Sequence, residues 1–380
     1  SALNQTGMLY CLNQSLINKT TSPCISIDAN NITLDCQWYL IDSDGTAYTG
    51  IYISSGNNTI RNCTLTDWSN TGIFDSGSGG NTLEYITVNA TLQGIASCIQ
   101  IESNNNILRN ITTNGGDLGV YFKYTSNNSL INANLQNANW EDLAIYPNST
   151  DECNHEVINV TGTGGYPIYY HHGSAINITN ERVAEICLCN ANNSRIINVT
   201  ISSNPDIKEN GLAFFDTYNI LVENVTLEYG ADTFFFKRSD NNTIKNVVIK
   251  NSEYGLTLST SADNNTFTNL VIYNISKRGL RLYGGSANNT IKDSKIYNCS
   301  EGMYINTFGQ YGSNLIYNNL FNNTLNYNFS GANYTNYWNT TKQTGDNIYE
   351  PSNPYIGGNF WAEPDGTGYS EICADSDIDG

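Results

Sequence analysis

One phrase recurs along the chain: NNTIRNCTL at residues 57–65, NNTIKNVVI at 241–249, NNTFTNLVI at 264–272 and NNTIKDSKI at 288–296. Looser copies lie between these four. Successive copies, aligned on their first apolar residue, are mostly about 22–27 residues apart. The aligned residues are Ile60, Leu83, Leu108, Leu130, Val157, Ile196, Val222, Ile244, Phe267, Ile291 and Ile316. A period of this length is typical of a solenoid whose turns stack on one another.

A second phrase, Gly followed by alternating apolar residues, lies between the copies of the first. It occurs at Gly50, Gly94, Gly211, Gly255, Gly279 and Gly302. Alternation over three to five residues predicts short strands, and no segment has the 3.6-residue period of an amphipathic helix. About 23 residues allow three strands and three turns, whereas a propeller blade needs about 40 residues. We therefore predict an all-β, right-handed, three-sided parallel β-helix of about 12 coils.

The ends of the chain depart from the repeat. We predict an N-terminal cap strand and loop over residues 1–27, the β-helix over 28–330, and an aromatic and acidic C-terminal cap or tail over 331–380. The residues predicted to cover the last coil are Tyr334, Tyr337, Trp338, Phe360 and Trp361. The long interval from Val157 to Ile196 predicts one enlarged coil.

Asn is the most informative residue of the repeat. It tolerates the left-handed backbone conformation of a tight turn, and its amide both donates and accepts hydrogen bonds. Equivalent Asn residues on successive coils are therefore expected to form a ladder, which Tyr85 and Asp293 interrupt. The expected members are Asn62, Asn110, Asn132, Asn159, Asn198, Asn224, Asn246, Asn269 and Asn318.

Composition indicates an exported protein. The chain has ten cysteines, and roughly two dozen Asn residues stand in N-x-Ser/Thr sequons. Because ladder side chains are already bonded, we expect glycans on the turn residues Asn57, Asn127, Asn192, Asn241, Asn264 and Asn288. No segment reaches the roughly 18 apolar residues of a transmembrane helix. The chain starts at Ser1 without a signal-like segment, so we expect a processed, mature protein on the cell surface.

Charge argues against a nucleic-acid partner. Lys and Arg number 17 against 35 Asp and Glu, for a net charge of −18, and the few basic residues form no evident cluster.

The sequence contains two candidate disulfides and one candidate metal site. Cys11 with Cys24, and Cys36 with Cys63, are candidate disulfides, although sequence leaves the pairing open. The start of a calcium loop is matched by Asp375, Asp377 and Asp379, although the distal acidic ligand of such a loop is absent. Ca²⁺ is therefore the one cofactor that the sequence suggests.

The run PCISIDANNITLDC at residues 23–36, followed by the Gly phrase and the N-N-T phrase, resembles the parallel β-helix repeat family, also called CASH-type. The resemblance covers roughly residues 20–330 and is greatest to forms in archaeal exported and cell-surface proteins. It implies the fold and leaves the function open, because the scaffold carries polysaccharide-cleaving enzymes, epimerases, adhesins and structural proteins.

We assign no catalytic residues from the sequence. His155, His171 and His172 all lie between Cys153 and Cys189, but neighbours in a strand point to opposite faces, which disfavours a metal site shared by His171 and His172. We therefore predict that the chain is not an enzyme. The favoured function is a structural glycoprotein of the extracellular surface, a homo-oligomeric subunit of a filament or surface layer that assembles through its solenoid ends. The alternatives are an adhesin or carbohydrate-binding module, and a polysaccharide-active lyase, hydrolase or epimerase.

Overall fold

The computed structural model describes residues 1–90, 96–202, 211–307, 312–331 and 335–373. They form two compact units, Ser1–His172 (unit 1) and Gly173–Gly380 (unit 2). Three features from the sequence lie outside the described residues: Gly94, Tyr334 and the three Asp residues of the calcium motif. No helix among the described residues has the length and apolar character needed to cross a membrane. The predicted division at residues 28 and 331 stays a prediction.

The first sixteen strands of unit 1 form two parallel sheets. One sheet has the order β1-β4-β7-β9-β11-β13-β15, and the other has β16-β14-β12-β10-β8-β5-β2 with β3 and β6 at its side. The strands are β1 (Ala2–Leu3), β2 (Leu9–Cys11), β3 (Leu16–Lys19), β4 (Ile25–Ile27), β5 (Thr33–Asp35), β6 (Leu40–Ser43), β7 (Thr49–Ile53), β8 (Thr59–Thr66), β9 (Thr71–Asp75), β10 (Thr82–Ala90), β11 (Ser97–Ile101), β12 (Ile107–Gly115), β13 (Leu118–Lys123), β14 (Ser129–Gln136), β15 (Glu141–Tyr146), β16 (Glu156–Thr161) and β17 (Ile168–His172). Two 3-10 turns lie at Thr150–Cys153 and Thr163–Gly165.

Unit 2 has the same parallel construction, apart from one short antiparallel pair near its C-terminal end. Its strands are β18 (Asn177–Thr179), β19 (Arg182–Val183), β20 (Glu185–Cys189), β21 (Arg195–Ile197), β22 (Thr200–Ser202), β23 (Leu212–Phe215), β24 (Leu221–Glu228), β25 (Asp232–Lys237), β26 (Thr243–Lys250), β27 (Tyr254–Ser259), β28 (Thr266–Tyr283), β29 (Thr290–Lys292), β30 (Lys295–Thr307), β31 (Leu315–Tyr317), β32 (Leu320–Asn322), β33 (Tyr327–Gly331), β34 (Gln343–Thr344), β35 (Tyr355–Ile356) and β36 (Phe360–Ala362), followed by helix α1 (Tyr369–Ile372). One ladder of parallel pairs runs β23-β25-β27-β28-β30-β33. A second runs β21-β24-β26-β28-β29-β31.

The first apolar residues of the repeat are aligned with one another in the register of neighbouring coils. In unit 1, Ile60, Leu83 and Leu108 are direct partners across neighbouring strands and are fully buried. In unit 2, Ile244 pairs with Phe267 in the same way. The predicted all-β parallel β-helix is therefore confirmed. The predicted enlarged coil between Val157 and Ile196 is wrong, because the interval contains a further copy of the repeat in which Ile178 pairs with Ile196.

The glycine of the second phrase marks a close approach between coils. A Cβ atom added at Gly255 would lie 2.3 Å from the carbonyl oxygen of Gly279, and one at Gly279 would lie 2.7 Å from that of Gly302. Real Cβ atoms do not approach an oxygen so closely, so these two positions admit only glycine in this backbone arrangement. This contact explains why the phrase begins with Gly.

The expected Asn ladder lies on the outside of the coils. Its residues have φ between 51° and 56°. The Asn224 amide donates to the Oδ1 atom of Asn198 at 3.1 Å, Asn246 donates to Asn224 at 3.1 Å, and Asn269 donates to Asn246 at 2.7 Å. Asn180, which the sequence alignment missed, accepts from Asn198 at 3.0 Å. Most of these residues are exposed to solvent.

A second ladder, which the sequence analysis did not predict, is buried. Its members stand two residues before the first apolar residue of each copy, and several are the second Asn of an N-N-Ser/Thr triplet: Asn58, Asn81, Asn106 and Asn128 in unit 1, and Asn242, Asn265, Asn289 and Asn314 in unit 2. Each side-chain oxygen accepts the backbone N–H of the equivalent residue one coil earlier, as from Asn81 to Asn106 at 2.8 Å and from Asn265 to Asn289 at 2.9 Å. The ladder thus pairs backbone donors that the turns would otherwise bury without partners.

Candidate functional site

Positive charge is concentrated in one part of the chain. Residues 237–295 contain nine Lys and Arg and four Asp and Glu, a net charge of +5, whereas the whole chain carries −18. Lys277, Arg278 and Arg281 form the densest group. The sequence-based statement that the basic residues form no cluster is therefore wrong.

The parallel strands β25, β27, β28 and β30 bring this group onto one outward face of unit 2. Asp232 pairs with Tyr254, which pairs with Arg278. In the adjacent outward row, Arg281 pairs with Tyr304. We call the resulting surface the arginine–tyrosine face and define it by Tyr254, Lys277, Arg278, Arg281, Tyr283 and Tyr304.

Arg281 is at the centre of this face. Its Nη1 atom donates to Asp232 Oδ1 at 2.9 Å, although 49 residues separate the two in sequence. The guanidinium carbon lies 4.1 Å from the ring centroid of Tyr254 and 5.0 Å from that of Tyr283. The side chain is only 16% exposed, and its Nε atom has no hydrogen-bond partner among the described residues. The ring contacts and the ion pair fix the guanidinium in one orientation.

Two further cations flank Arg281. Arg278 donates from Nε to Glu301 at 2.7 Å, and its guanidinium carbon lies 3.5 Å from the ring centroid of Tyr304. Lys277 contacts Glu253 at 2.6 Å. These residues border a shallow hollow of about 290 Å³, which Tyr254 and Glu301 also line. The face therefore combines aromatic rings with charged donors and acceptors, a combination that suits a sugar chain.

Burial and ion pairing act in opposite directions on Asp232. Burial raises the pKa of its carboxyl group, and the charge of Arg281 opposes this effect. The pKa of Lys277 is raised, chiefly by its hydrogen bond to Glu253. Lys277 therefore stays cationic at neutral pH, and the guanidinium groups do so in any protein. The face can therefore bind an anionic group.

The three histidines do not form a common site in the part of the chain that the structure describes. His155 is buried, stacks on Phe122 at 4.9 Å between ring centroids, and accepts the backbone N–H of Asn128 at 3.3 Å on Nδ1. It occupies the position that Asn has in the buried ladder of other coils. Burial lowers its pKa to about 4. His171 and His172 are half-buried neighbours in β17.

The predicted disulfides have different outcomes. Cys36 and Cys63 form a disulfide between neighbouring coils. Cys11 and Cys24 are both free thiols, so the pair proposed for them does not form in this structure. The sulfur atom of Cys153 and that of Cys189 are each part of a disulfide.

The predicted glycosylation residues lie at turns between strands. Asn57, Asn127, Asn241, Asn264 and Asn288 are exposed, whereas Asn192 is half-buried. The side chain of Asn192 donates to Asn190 and accepts from the backbone of Tyr218, and that of Asn127 accepts from Asn154. Side chains that are already bonded are poorer acceptors of a glycan. Glycosylation of these residues stays a prediction.

Several solved structures are similar to this chain. The A-module of the mannuronan C-5 epimerase AlgE6 from Azotobacter vinelandii is 12% identical, with a TM-score of 0.39 and coverage of 89% of both chains. The periplasmic alginate epimerase AlgG is 9% identical, with a TM-score of 0.35 and coverage of 87% of this chain and 76% of the other. The alginate lyase AlyF-OU02 is 11% identical, with a TM-score of 0.32 and coverage of 93% and 86%.

These similar structures are polysaccharide-active enzymes, and this finding contradicts the sequence-based prediction that the chain is not an enzyme. Sequence identities this low indicate a similar fold, and they do not show that this chain has the activity of those enzymes. No curated protein sequence matches the chain.

Two protein-family models match. A right-handed β-helix region covers residues 16–183, in agreement with the predicted hand of the coils. The model described as periplasmic copper-binding protein (NosD) covers residues 144–366, more than half of the chain. This chain belongs to the NosD family.

Proposed function

We propose that the protein acts on an acidic polysaccharide that binds across the arginine–tyrosine face of unit 2. The observation that carries this proposal is Arg281, a guanidinium fixed between two tyrosine rings on an outward sheet face, in the one strongly basic part of an acidic chain. A planar guanidinium is suited to a carboxylate, and neighbouring tyrosines offer surfaces for sugar rings.

The chemistry that fits this face is proton transfer at the carbon beside a uronate carboxylate. Arg281 or Arg278 would bind the carboxylate and stabilise the negative charge that develops when the C5 proton leaves. The phenols of Tyr254 and Tyr304 stand beside these cations and would accept or donate the proton. Return of a proton to the opposite face gives the epimer, and departure of the glycosidic oxygen gives the unsaturated lyase product.

Hydrolysis by a carboxylate pair fits this face less well. Asp232 and Glu301 belong to one outward row and are separated by three strand spacings, roughly 14 Å. Inverting glycosidases place their two carboxyl groups about 6.5–9.5 Å apart, and retaining enzymes place them closer. We therefore favour epimerisation or elimination over hydrolysis.

The description of the family names copper as a ligand. Copper sites combine clustered His, Cys and Met side chains. Within the described ranges, no group of three or more His, Cys, Asp or Glu side chains is placed to hold a metal ion. Met303 is fully buried, and the Nδ1 atom of His155 is already hydrogen-bonded. These residues do not fit copper, and no step of the proposal involves it.

We propose an exported location, which is supported by the Cys36–Cys63 disulfide and by the periplasmic description of the family. The cell surface, the archaeal host and the CASH-type assignment stay predictions. A glycosylated, self-assembling subunit also stays a prediction, and one observation favours it. The terminal strand β2 exposes Leu9 (58%). Apolar side chains on unpaired strand edges are typical of contacts between subunits.

Substitution of Arg281 with Gln tests the proposed function. We expect the intact protein to bind alginate or polygalacturonate in affinity electrophoresis and to bind neutral dextran much more weakly. Arg281→Gln should weaken uronate binding at least about tenfold, because a charged hydrogen-bond donor is lost. Turnover would be followed by the absorbance of the unsaturated product and by proton NMR of epimerised residues.

The matched control is Arg195→Gln, an exposed residue of unit 2 in strand β21, away from this face. It should leave binding unchanged. Because Arg281→Gln removes the ion pair with Asp232, the double variant with Asp232→Asn separates a folding defect from a binding defect. Absence of uronate binding by the wild-type protein, or equal binding by Arg281→Gln, would contradict the proposal.

A further inference from the structure

A cavity of about 650 Å³ lies near the C-terminal end of unit 2, and we call it the C-terminal cavity. Its aromatic lining consists of Tyr337, Trp338, Tyr349, Phe360, Trp361 and Tyr369. Pockets of about 300–1,000 Å³ with aromatic walls and a few polar groups are typical of sites for small organic ligands. None of these residues belongs to the arginine–tyrosine face.

The floor of the cavity is rigid. Trp361 stacks on the fully buried Phe321 at 4.6 Å between ring centroids, and Trp338 packs 5.8 Å from Trp361. Strand β36, which carries Trp361, pairs with β32 as a further parallel rung. The two indole rings therefore close the core and also line the cavity wall. An aromatic floor fixed from below is a preorganised platform for a flat apolar face.

The rim is aromatic and exposed. Tyr349 is 57% exposed and stacks on Phe360 at 3.5 Å, and Tyr369 is 70% exposed. A sugar ring has one face of C–H groups that stacks on such rings, while its hydroxyl groups need hydrogen-bond partners. Phenol hydroxyls, the exposed amide of Asn339 and the carboxylate of Glu350 line the same cavity and provide those partners.

Charge selects among possible sugars. Glu350 is the one charged side chain among the described lining residues, and no Lys or Arg is among them. A uronate would meet a carboxylate without a compensating cation, whereas the hydroxyl groups of an uncharged sugar would donate hydrogen bonds to Glu350. The same argument disfavours the chain's own residues 374–380, whose sequence ADSDIDG brings three carboxylates.

We propose that the C-terminal cavity is a second carbohydrate site, one that takes a neutral hexose unit of an oligosaccharide or polysaccharide. This inference does not depend on the proposed activity of the arginine–tyrosine face. The two sites would differ in ligand, one binding acidic sugars through arginine and the other binding uncharged sugars through stacked aromatic rings.

The test uses the full chain and a panel of neutral cello-, malto-, manno- and galacto-oligosaccharides, measured by isothermal titration and saturation-transfer NMR. At least one of these sugars should bind the wild-type protein. Tyr349→Ala should weaken that binding about tenfold, because a stacking surface is removed. Tyr218→Ala is the matched control, since Tyr218 is 48% exposed in unit 2 and does not line the cavity.

A third variant separates the two proposals. Arg281→Gln should leave neutral-sugar binding unchanged, so that failure of one site is distinguishable from failure of the other. Three results would overturn the second site: no panel member binds, Tyr349→Ala binds as well as the wild-type protein, or binding appears only after deletion of residues 374–380. The last result would show that the chain's own tail occupies the cavity.

Discussion

Replacement of Asn265 with Ala is expected to lower the free energy of unfolding of unit 2 by about 3–5 kcal/mol, because several buried groups lose their partners together. The Asn265 side chain accepts the backbone N–H of Asn242 at 2.9 Å. Its amide donates to the carbonyl of Ser239 at 2.9 Å and to Asn289 at 3.0 Å. Asn265 is 1% exposed, so water cannot replace these bonds.

The control is a residue of the exposed ladder four positions later. Asn269→Gly removes one exposed hydrogen bond to Asn246 and keeps the positive φ of 55° accessible. It should cost about 1 kcal/mol or less. Chemical denaturation gives both values, and amide hydrogen exchange of Asn242 reports the lost bond directly. Equal effects of the two substitutions would show that the buried ladder is not the stronger one.

The fold could be predicted from the sequence because the repeat determines both the spacing of the coils and the register of their strands. Ile60, Leu83 and Leu108 were aligned by pattern alone, and the structure pairs them directly. The copy at Ile178 does not fit the aligned series because it lies only 18 residues before Ile196, a shorter spacing than that of the other copies. A short coil with a weak phrase was therefore counted as part of a longer one.

The two Asn residues of each triplet could not be told apart in the same way. Asn264 and Asn265 are adjacent and chemically identical, yet only Asn265 is buried. The turn decides this difference, since Asn264 has a φ of 57° and turns its side chain outward. The sequence nevertheless indicates which position of the pair is buried. In two coils the second Asn is replaced by another residue that can accept a hydrogen bond, Ser194 and His155.

The arginine–tyrosine face escaped prediction because its contacts join different coils. Asp232 and Arg281 are 49 residues apart, so no local motif contains both. The available signal was the charge of residues 237–295, which a count over the whole chain conceals. The cation–ring contacts to Tyr254 and Tyr283 depend on knowing which strands are neighbours. The net charge of each coil, counted separately, would have indicated the arginine–tyrosine face.

His155 is expected to make unit 1 less stable as the pH falls, because its imidazole is buried in neutral form. Burial lowers its pKa to about 4 from the ordinary value of 6.5. Between pH 6.5 and 4 the unfolded chain therefore binds a proton that the folded chain does not. The stabilisation is fully present above pH 6.5 and is lost as the pH falls through this window. Its full size is about 3 kcal/mol.

The substitution His155→Asn isolates this effect, because Asn is the residue that other coils place in the buried ladder. Loss of the stacking on Phe122 lowers stability by an amount that does not vary with pH. The pH profile of the wild-type protein alone is ambiguous, since burial raises the pKa of Asp142 to about 7 in the same unit. Asp142 makes stability fall as the pH rises from about 4 to 7, which is opposite in sign to the effect of His155.

The informative measurement is the difference in unfolding free energy between wild type and His155→Asn at several pH values from 4 to 7.5. Asp142 contributes equally to both proteins and cancels. The stability of the wild-type protein relative to the variant should fall by about 3 kcal/mol from pH 7 to pH 4, with most of the change below pH 6.5. A difference that stays constant over this range would show that His155 binds its proton equally well in the folded and the unfolded chain, and that the ladder tolerates a charge at this position.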